Sequence, residues 1–256
     1  MAPSRLYKYR RIDEHSEAFF LNNSIFFASP ADFNDPFEGH IYPDTKGTEE
    51  DYQKFLTRMA HLRGISTEPD LSRWVRDNLA KFRDDTTRDK WLRVTQASVV
   101  ERLAVYCLAE TNDDILMWSH YSDGHRGFCL EFDCSDKTSL FGEARPVKYS
   151  DMYPVYNLFS GAPVDKFDAF LLTKSKRWEY EAEWRVVDIQ SDGWTRRPGE
   201  YQYPPELLTG IIFGCLMSDG DKSTVRGWIE GRAKPVQLYQ SNRKDRCFGL
   251  DIEPIH

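Results

Sequence analysis

Hydrophobic positions along the chain recur with two periods, one of two residues and one of about 3.6 residues. Short apolar or alternating runs predict strands at 5–9, 24–28, 104–108, 126–132, 146–150, 183–189, 209–214, 236–240 and 247–252. Apolar positions three or four residues apart predict helices at 13–21, 49–103, 114–121, 163–176 and 219–231. This order of elements predicts an α+β fold, with a mixed or antiparallel β-sheet core and flanking helices.

The segment 49–103 has a helical pattern throughout its length. Its first part carries apolar side chains at helical spacing, at Tyr52, Phe55, Leu56, Met59 and Leu62. Lys, Arg and Asp fill the remaining faces, a pattern typical of amphipathic helices that pack on a larger body. Because strand patterns resume after this segment, we interpret residues 1–256 as a single domain with a helical insertion at about 49–103.

Composition narrows the classes of protein that fit this pattern. Hydrophobic residues make up 40% and charged residues 29% of the 256 residues, which is typical of a globular chain. The net charge of −7 argues against a nonspecific nucleic-acid-binding protein, although it leaves room for a small basic pocket. Neither a secretory signal pattern nor an apolar run of roughly 18 residues is visible. We therefore expect a cytoplasmic protein that does not bind membranes.

The cysteines are five in number, at Cys107, Cys129, Cys134, Cys215 and Cys247, and none forms a CxxC pair. Most of them lie in apolar stretches of the sequence. This placement predicts buried free thiols rather than a disulfide framework or a zinc knuckle. The composition leaves the oligomeric state open.

The most unusual charge pattern is a triplet of glutamates at alternate positions. In a strand, Glu179, Glu181, Glu183 and Arg185 would share one face. Three like charges two residues apart repel one another, so this face needs either partners or a chemical role. The basic residues within 174–177 are candidates for the partners, which would make the face a salt-bridged or solvated one. Alternatively, carboxylates crowded in a cleft acquire shifted pKa values that suit catalysis.

A second dense group of polar residues lies at 117–132, where a predicted short helix breaks at Gly124 before a strand. Free backbone N–H groups make such loops frequent binding sites. The spacing of His120, Asp123 and His125 matches no recognised arrangement of metal ligands, so we expect no metal site. No Gly-x-Ser-x-Gly elbow is present to mark a serine nucleophile. A purely structural role, in which these side chains hydrogen-bond the turn, stays open.

The loop Asn34-Asp35-Pro36-Phe37-Glu38 has the composition of a stiff turn capped by an Asp or Asn side chain. It is turn-rich and carries two carboxylates, so it is either a structural turn or part of a site. The sequence contains neither a P-loop nor a Gly-x-Gly-x-x-Gly fingerprint. ATP hydrolysis by a P-loop and redox chemistry on a Rossmann fold are therefore not expected.

Several of these segments together resemble one bacterial family, the domain of unknown function numbered 2971. The resemblance rests on the segments 6–10, 27–38, 117–121, 125–128 and 178–185. Their motifs include Phe-Asn-Asp-Pro-Phe-Glu, Met-Trp-Ser-His-Tyr and Glu-Ala-Glu-Trp-Arg. These motifs are specific and span nearly the whole chain, but the family name implies no function.

A looser resemblance is to the ADP-ribosyltransferases, which carry a polar residue on an early strand, an aromatic or Ser-containing motif on the next, and Glu-x-Glu late. The corresponding positions here are Tyr9-Arg10, Phe27-Ala28-Ser29 and Glu181-Ala182-Glu183. The middle motif and the long helical segment after it depart from the pattern of that superfamily.

This resemblance implies NAD as the substrate and no metal. Glu183 would stabilise the oxocarbenium character that develops when the nicotinamide–ribose bond breaks, and Glu181 would position the acceptor. Arg10 would bind the diphosphate or ribose. The binding cleft is expected to gather six further residues: Tyr9, Arg10, Ser29, His120, Tyr121 and Arg126.

Three hypotheses of function follow. The leading one is a nucleotide-acting enzyme, an NAD-dependent ADP-ribosyltransferase or NAD-cleaving protein, with water, a protein or a nucleic acid as acceptor and a role in phage defence or a toxin system. The second is a non-catalytic module that senses a nucleotide or a protein in a stress or defence system. The third is a metal-dependent nuclease that would use Asp35, Glu38, Glu181 and Glu183. The acidic net charge counts against the third.

Overall fold

The computed structural model describes residues 3–40, 42–100, 103–157, 159, 168–187 and 197–255. Its centre is an eight-stranded sheet. In spatial order the strands are β14 (Leu250–Pro254), β13 (Gln237–Arg243), β12 (Leu208–Phe213), β5 (Phe128–Asp133), β1 (Arg5–Arg10), β4 (Tyr106–Ala109), β10 (Glu183–Val186) and β6 (Arg145–Pro146). All neighbours are antiparallel except β12 and β13. The predicted α+β fold with a mixed, mostly antiparallel sheet is confirmed.

Within the described ranges, three smaller strand pairs and six helices lie around this sheet, in addition to the helical residues 168–171. The pairs are β2 (Ser24–Phe27) with β11 (Gly199–Gln202), β3 (Tyr42–Asp44) with β8 (Val155–Asn157), and β7 (Lys148–Ser150) with β9 (Thr173–Ser175). The helices are α1 (Glu14–Leu21), α2 (Glu49–Leu62), α3 (Asp70–Phe82), α4 (Asp85–Val100), α5 (Ile115–Tyr121) and α6 (Asp219–Ile229). Short 3-10 helices lie at Pro30–Asp32, Lys176–Glu181 and Pro205–Leu207.

Two predicted elements need correction. The helix predicted at 163–176 is wrong at its end, because residues 173–175 are strand β9, while 168–171 are helical and 163–167 lie outside the described residues. The glutamate-rich segment is not a continuous strand, because residues 176–181 form a 3-10 helix and β10 begins only at Glu183. The predicted strand 183–189 ends at Val186, and residues 188–189 are outside the described range.

The aromatic core lies on one face of the sheet, because strand side chains alternate between faces. Leu6 of β1 and Phe128 and Phe132 of β5 point to this face and pack with α1, which contributes Phe19 and Phe20. The opposite face is covered by the short helix α5, and the core on that side includes Tyr9, Met117, Trp118, Cys129 and Ile212. The helices α2, α3 and α4 have a separate core of their own around Leu56, Leu79, Phe82 and Leu92.

The sheet opens between its central strands β1 and β4. β1 pairs with β5 over six residues, from Arg5 to Arg10, but its register with β4 consists of the single pair Tyr7 and Ala109. Backbone groups in the rest of this gap need other partners. Lys8 supplies one of them, since its ammonium donates to the Cys107 carbonyl oxygen at 2.7 Å. The gap creates the space in which the candidate site lies.

Candidate functional site

A cavity of about 280 Å³ occupies the opening between β1 and β4. Strand residues of both edges line it, and the loop after β2 and the helix α5 complete its wall. The aromatic lining comes from Tyr7, Tyr9, Phe26, Phe33, Tyr106 and Tyr121. The charged lining comes from Lys8, Asp32, Glu38, Lys174, Glu181 and Glu183. Rings and charges of both signs therefore meet in one cavity.

Five charged side chains form a buried cluster at this cavity: Glu38, Lys174, Glu181, Glu183 and Arg185. None of the five residues is more than 8% exposed. The Lys174 ammonium lies 3.5 Å from a Glu38 oxygen and 3.1 Å from a Glu183 oxygen. It also donates to Glu181. A single cation thus holds carboxylates from two distant parts of the chain.

The guanidinium of Arg185 binds two of the same carboxylates. Its Nε and Nη2 atoms donate to the two oxygens of Glu183, each at 2.8 Å. Nη2 also donates to Glu38, and Nη1 donates to the Leu171 carbonyl at 2.6 Å. A buried ion is costly unless its hydrogen-bonding capacity is met, and this fork meets it with a planar, bidentate geometry.

A change of backbone conformation places the two glutamates of the Glu-Ala-Glu segment. Glu181 ends the 3-10 helix, and Ala182 then adopts a left-handed conformation with φ of 43°. This conformation costs a residue with a Cβ atom roughly 1–2 kcal/mol. It turns the chain into β10, where Glu183 begins the pairing with Ala109. Glu179, by contrast, lies on the exposed side of the 3-10 helix.

Tyrosine and tryptophan side chains hold the carboxylates in place. The Tyr121 hydroxyl donates to Glu181 at 2.6 Å. The Glu183 backbone N–H donates to the Tyr149 hydroxyl oxygen at 2.7 Å. The Trp178 indole N–H donates to Asp35 at 2.7 Å, which ties the loop after β2 to the 3-10 helix. Asp35 also accepts from the Phe37 N–H at 2.9 Å, so the predicted side-chain-capped turn is present.

The two buried glutamates differ in acidity. Burial by itself would raise the pKa of Glu183, but Arg185 and Lys174 outweigh it and hold that pKa at about 2. Burial also raises the pKa of Glu181, and here the opposing effects of Lys174 and Tyr121 are too small to reverse it. Glu183 therefore stays ionised as a structural anion. Glu181 is the carboxyl of the pair that is better suited to exchanging a proton.

Lys8 is the second lysine in the cavity lining. Its ammonium lies 4.9 Å from the centre of the Tyr106 ring, and a carbonyl oxygen rather than a described carboxylate is its hydrogen-bond acceptor. Burial lowers the pKa of Lys8. Unlike Lys174, Lys8 has no carboxylate among its described hydrogen-bond and ion-pair partners.

Four of the eight residues proposed from the sequence line the cavity: Tyr9, Tyr121, Glu181 and Glu183. Tyr9 lines the cavity, but its polar group is already engaged, because the Tyr9 hydroxyl donates to the Thr111 carbonyl oxygen. Its ring packs edge-on against Trp118. His120 is not part of the described lining of this cavity, and its Nδ1 atom lies 3.0 Å from the Tyr180 hydroxyl oxygen.

The other three predicted residues have local partners outside this lining. Arg10 lies over the Phe19 ring in the aromatic core, with its guanidinium carbon 5.6 Å from the ring centre. Ser29 caps the 3-10 helix that follows it, accepting from the Ala31 N–H. Arg126 contacts Asp123 in the exposed turn after α5. Among the described residues, these three are not part of the cavity wall.

Sequence reasoning missed most of the cationic half of the site. Lys174 was recognised only as one of several nearby basic residues, and Arg185 only as a member of a strand face. Lys8 carried no signal, since it looks like the polar position of an alternating strand. Glu38 was noted as a carboxylate of the 34–38 loop and as a candidate of the nuclease hypothesis, but not as a partner of the Glu-Ala-Glu segment. No local motif predicts such a cluster, because the order of the strands brings its members together, and not their spacing along the sequence.

The carboxylates of the cluster face Lys174 and Arg185. Within the described ranges, no group of three or more His, Cys, Asp or Glu side chains is placed to hold a metal ion. In that same part of the chain, no helix combines the length and the apolar character needed to cross a bilayer.

Comparisons with known proteins identify one family. Neither the curated proteins nor the solved structures include a match to this chain. Residues 117–186 match the family model described as "Protein of unknown function (DUF2971)". That stretch runs from α5 to β10 and contains four of the five residues of the buried cluster, all but Glu38, together with Tyr121. The match supports the predicted resemblance to the DUF2971 family.

Proposed function

We propose that the cavity between β1 and β4 is the active site of an enzyme that acts on a nucleotide, with NAD as the first candidate substrate. The observation that carries this proposal is Glu181, a carboxyl of raised pKa at the cavity wall that Tyr121 and Lys174 hold in place. Shifted carboxyl groups in a cleft are typical of catalytic sites. The NAD chemistry itself comes from the resemblance to ADP-ribosyltransferases.

The charge balance of the cluster suits the cleavage of a glycosidic bond. Three carboxylates face two cations, which leaves one net negative charge when all are ionised. A buried negative charge stabilises the positive charge that develops on the ribose as its bond to nicotinamide breaks. The bonding electrons leave with the nicotinamide nitrogen, and an acceptor oxygen, that of water in the simplest case, bonds to the ribose carbon. Glu181 takes the proton that this acceptor loses.

This assignment moves the reactive role from Glu183 to Glu181. Both oxygens of Glu183 are held by Arg185, and one of them is also bound by Lys174. Such a carboxylate is a support for its neighbours, because its charge is already compensated. One oxygen of Glu181 accepts a hydrogen bond from the Tyr121 hydroxyl, and the hydroxyl of an incoming substrate could replace that donor.

The remaining lining fits the other parts of a nucleotide. Lys8 lines the cavity with an amino group, which can donate a hydrogen bond to a phosphate group. Phe26 is 53% exposed at the cavity, where an aromatic base can stack on it. The cavity of about 280 Å³ is near the lower end of the range for small-molecule sites. We therefore place the nicotinamide riboside part inside and the adenosine part at the mouth.

The test measures the release of nicotinamide from NAD by chromatography, for the wild-type protein and for two variants. Glu181→Gln keeps the shape of the side chain and removes the base, so we expect turnover to fall about 100-fold or more. Glu179→Gln is the matched control, because it makes the same change two residues away on the exposed side. It should turn over NAD like the wild type.

Two results would overturn the proposal. One is that Glu181→Gln, shown by circular dichroism to be folded, keeps wild-type turnover. The other is that wild-type protein releases no nicotinamide. If calorimetry then still shows saturable NAD binding that Lys8→Ala weakens, the cavity is a nucleotide sensor without chemistry.

A further inference from the structure

A second cavity, of about 560 Å³, lies on the other side of α5 from Tyr121, between this helix and the β13–β14 hairpin. Ile115, Leu116 and Ser119 line it from α5, and the hairpin residues 243–250 line it from the opposite side. None of the five residues of the buried cluster is among its described lining. The two cavities share no described lining residue, although α5 contributes to both.

A serine and a histidine meet at the wall of this cavity. Ser119 Oγ is 3.2 Å from His125 Nε2, within hydrogen-bonding distance. The Ser119 residue is exposed, so its hydroxyl is open to a ligand. In the tautomer that carries its proton on Nδ1, the His125 ring accepts the Ser119 hydroxyl proton at Nε2. This is the contact that activates a serine nucleophile.

The histidine of this pair is positioned by its backbone and by Trp118, while its Nδ1 atom is buried and has no hydrogen-bond partner in the described part of the chain. Its ring stacks on Trp118 with an angle of 11° between the planes, and Trp118 is itself fixed by a hydrogen bond from its indole N–H to the Asn112 carbonyl. His125 has a positive φ of 68°, an uncommon conformation for a residue with a side chain. Two backbone hydrogen bonds hold it there, one to the Trp118 carbonyl and one from the Leu216 N–H. Backbone strain of this kind is often concentrated at functional sites.

The protonation state of His125 suits a base. Burial lowers the pKa of the ring, and the Ile115 backbone carbonyl, which interacts with it, raises that pKa by less. The ring is therefore neutral at pH 7, which is the form that can take a proton.

We propose that Ser119 and His125 form a second catalytic pair, which hydrolyses small carboxylic esters in this cavity. The Ser119 oxygen bonds to the ester carbonyl carbon while its proton moves to His125 Nε2. The bond between that carbon and the alcohol oxygen then breaks, and the proton passes from His125 to the departing alcohol. Water cleaves the acyl-serine in the same way, giving one proton back to Ser119 through His125.

The rest of the lining indicates the class of ester. Leu216 and Phe248 are 53% and 99% exposed, so they offer apolar surface to an acyl or alkyl group. Arg243 and Lys244 bring positive charge to the same cavity. These cations can stabilise the negative oxygen of the tetrahedral intermediate or an acidic group on the substrate. The preferred ester is thus small, apolar in one part and anionic in another.

The test uses p-nitrophenyl acetate for turnover and a fluorophosphonate probe for the site of labelling, read by mass spectrometry. We expect the label on Ser119 and its loss in Ser119→Ala. Ser223→Ala is the matched control, since Ser223 is an exposed serine whose hydroxyl donates to a backbone carbonyl instead of a histidine. It should keep both the label and the turnover.

Histidine variants separate catalysis from folding. Glycine tolerates the positive φ at position 125, so His125→Gly removes the base without straining the backbone. We expect turnover to fall about 100-fold and to recover in part when free imidazole is added. His125→Asn, which also tolerates this conformation, serves if the glycine variant is unstable. An unlabelled Ser119 in folded wild-type protein, or a folded His125 variant with unchanged turnover, would overturn the proposal.

Discussion

Charged residues form ion pairs in two regions of this molecule that differ in exposure to solvent. One is the buried cluster at the cavity, and the other is the set of helices α2–α4. On the helices, ion pairs such as Lys54 with Glu50 and Arg83 with Glu49 lie in water, with more than half of each side chain exposed. In the cluster, Lys174 and Arg185 are almost fully buried with three glutamates. The residue types and distances are similar. What differs is the solvent, which screens the first set and leaves the second strongly coupled.

This difference shows which charges to examine for function. An exposed pair can lose a partner to water at little cost, so its presence indicates little about selection for a site. A buried set costs several kcal/mol per ion unless every member is paired, so it persists only where fold or function requires it. The cluster also leaves one carboxyl, Glu181, with a raised pKa at a cavity, which none of the exposed pairs does.

The largest effect should come from removing the guanidinium of the cluster. Arg185→Met keeps much of the side-chain volume but removes the guanidinium from Glu183 and Glu38, which keep only the Lys174 ammonium as a described cationic partner. We expect a loss of about 3–5 kcal/mol in the free energy of unfolding, because three buried carboxylates are then left with a single cation, Lys174. Urea denaturation at pH 7 measures this loss. A loss close to zero would mean that the cluster is hydrated in solution.

A smaller effect is expected from acid, and its sign follows from the pKa of Glu183. In the folded protein that pKa is about 2, below the ordinary value of 4.5. A carboxyl with a lowered folded pKa stabilises the fold above its unfolded pKa, and this contribution is lost as the pH falls from about 4.5 to about 2. Glu181 acts with the opposite sign, since its raised pKa means that ionisation costs stability as the pH rises.

The measurement is the urea midpoint of wild-type protein and Glu183→Gln between pH 7 and pH 3. We expect the wild type to be the more stable protein at pH 7, and the difference between the two to shrink below pH 4.5. A constant difference across this range would show that Glu183 does not titrate as an ion-paired carboxylate.

The smallest effect belongs to the exposed helix. In Lys54→Ala, the carboxylate of Glu50 loses its partner and is solvated by water instead. Alanine has a high helix propensity, so the substitution itself does not weaken the helix. We expect a urea midpoint that cannot be distinguished from that of the wild type at 0.15 M salt. A clear destabilisation at that salt concentration would remove the contrast between the two regions.

Local patterns were sufficient for much of the fold. The alternation in β1 and the apolar run of β12 predicted strands close to Arg5–Arg10 and Leu208–Phe213. Helical spacing predicted α1 and α6, whose ends are marked by the capping side chains of Asp13 and Ser218. The prediction failed at Lys176–Glu181, where alternating charges suggest a strand but the chain forms a 3-10 helix that ends in a left-handed alanine. Such a turn at Ala182 has no local signal, since alanine disfavours it.

The sequence predicted only part of the candidate site, because its other features also have no local signal. The unusual glutamates pointed to Glu181 and Glu183, and Tyr121 followed from the polar segment around α5. Their acidities could not be assigned, because Glu183 differs from Glu181 through the guanidinium two residues further on and through burial. The pairing of Ser119 with His125 was equally hidden, since it depends on how the chain turns after α5.

The sequence by itself determined the periodicities, the class of fold and the concentration of carboxylates before β10. Only the tertiary structure decided that Glu38 meets Arg185 from 147 positions away, and that the sheet opens between β1 and β4 to form a cavity beside them. The physical reason is that hydrophobic periodicity acts over a few residues along the chain. The energy of a buried charge depends instead on every neighbour in space, and those neighbours are set by the order and register of the strands.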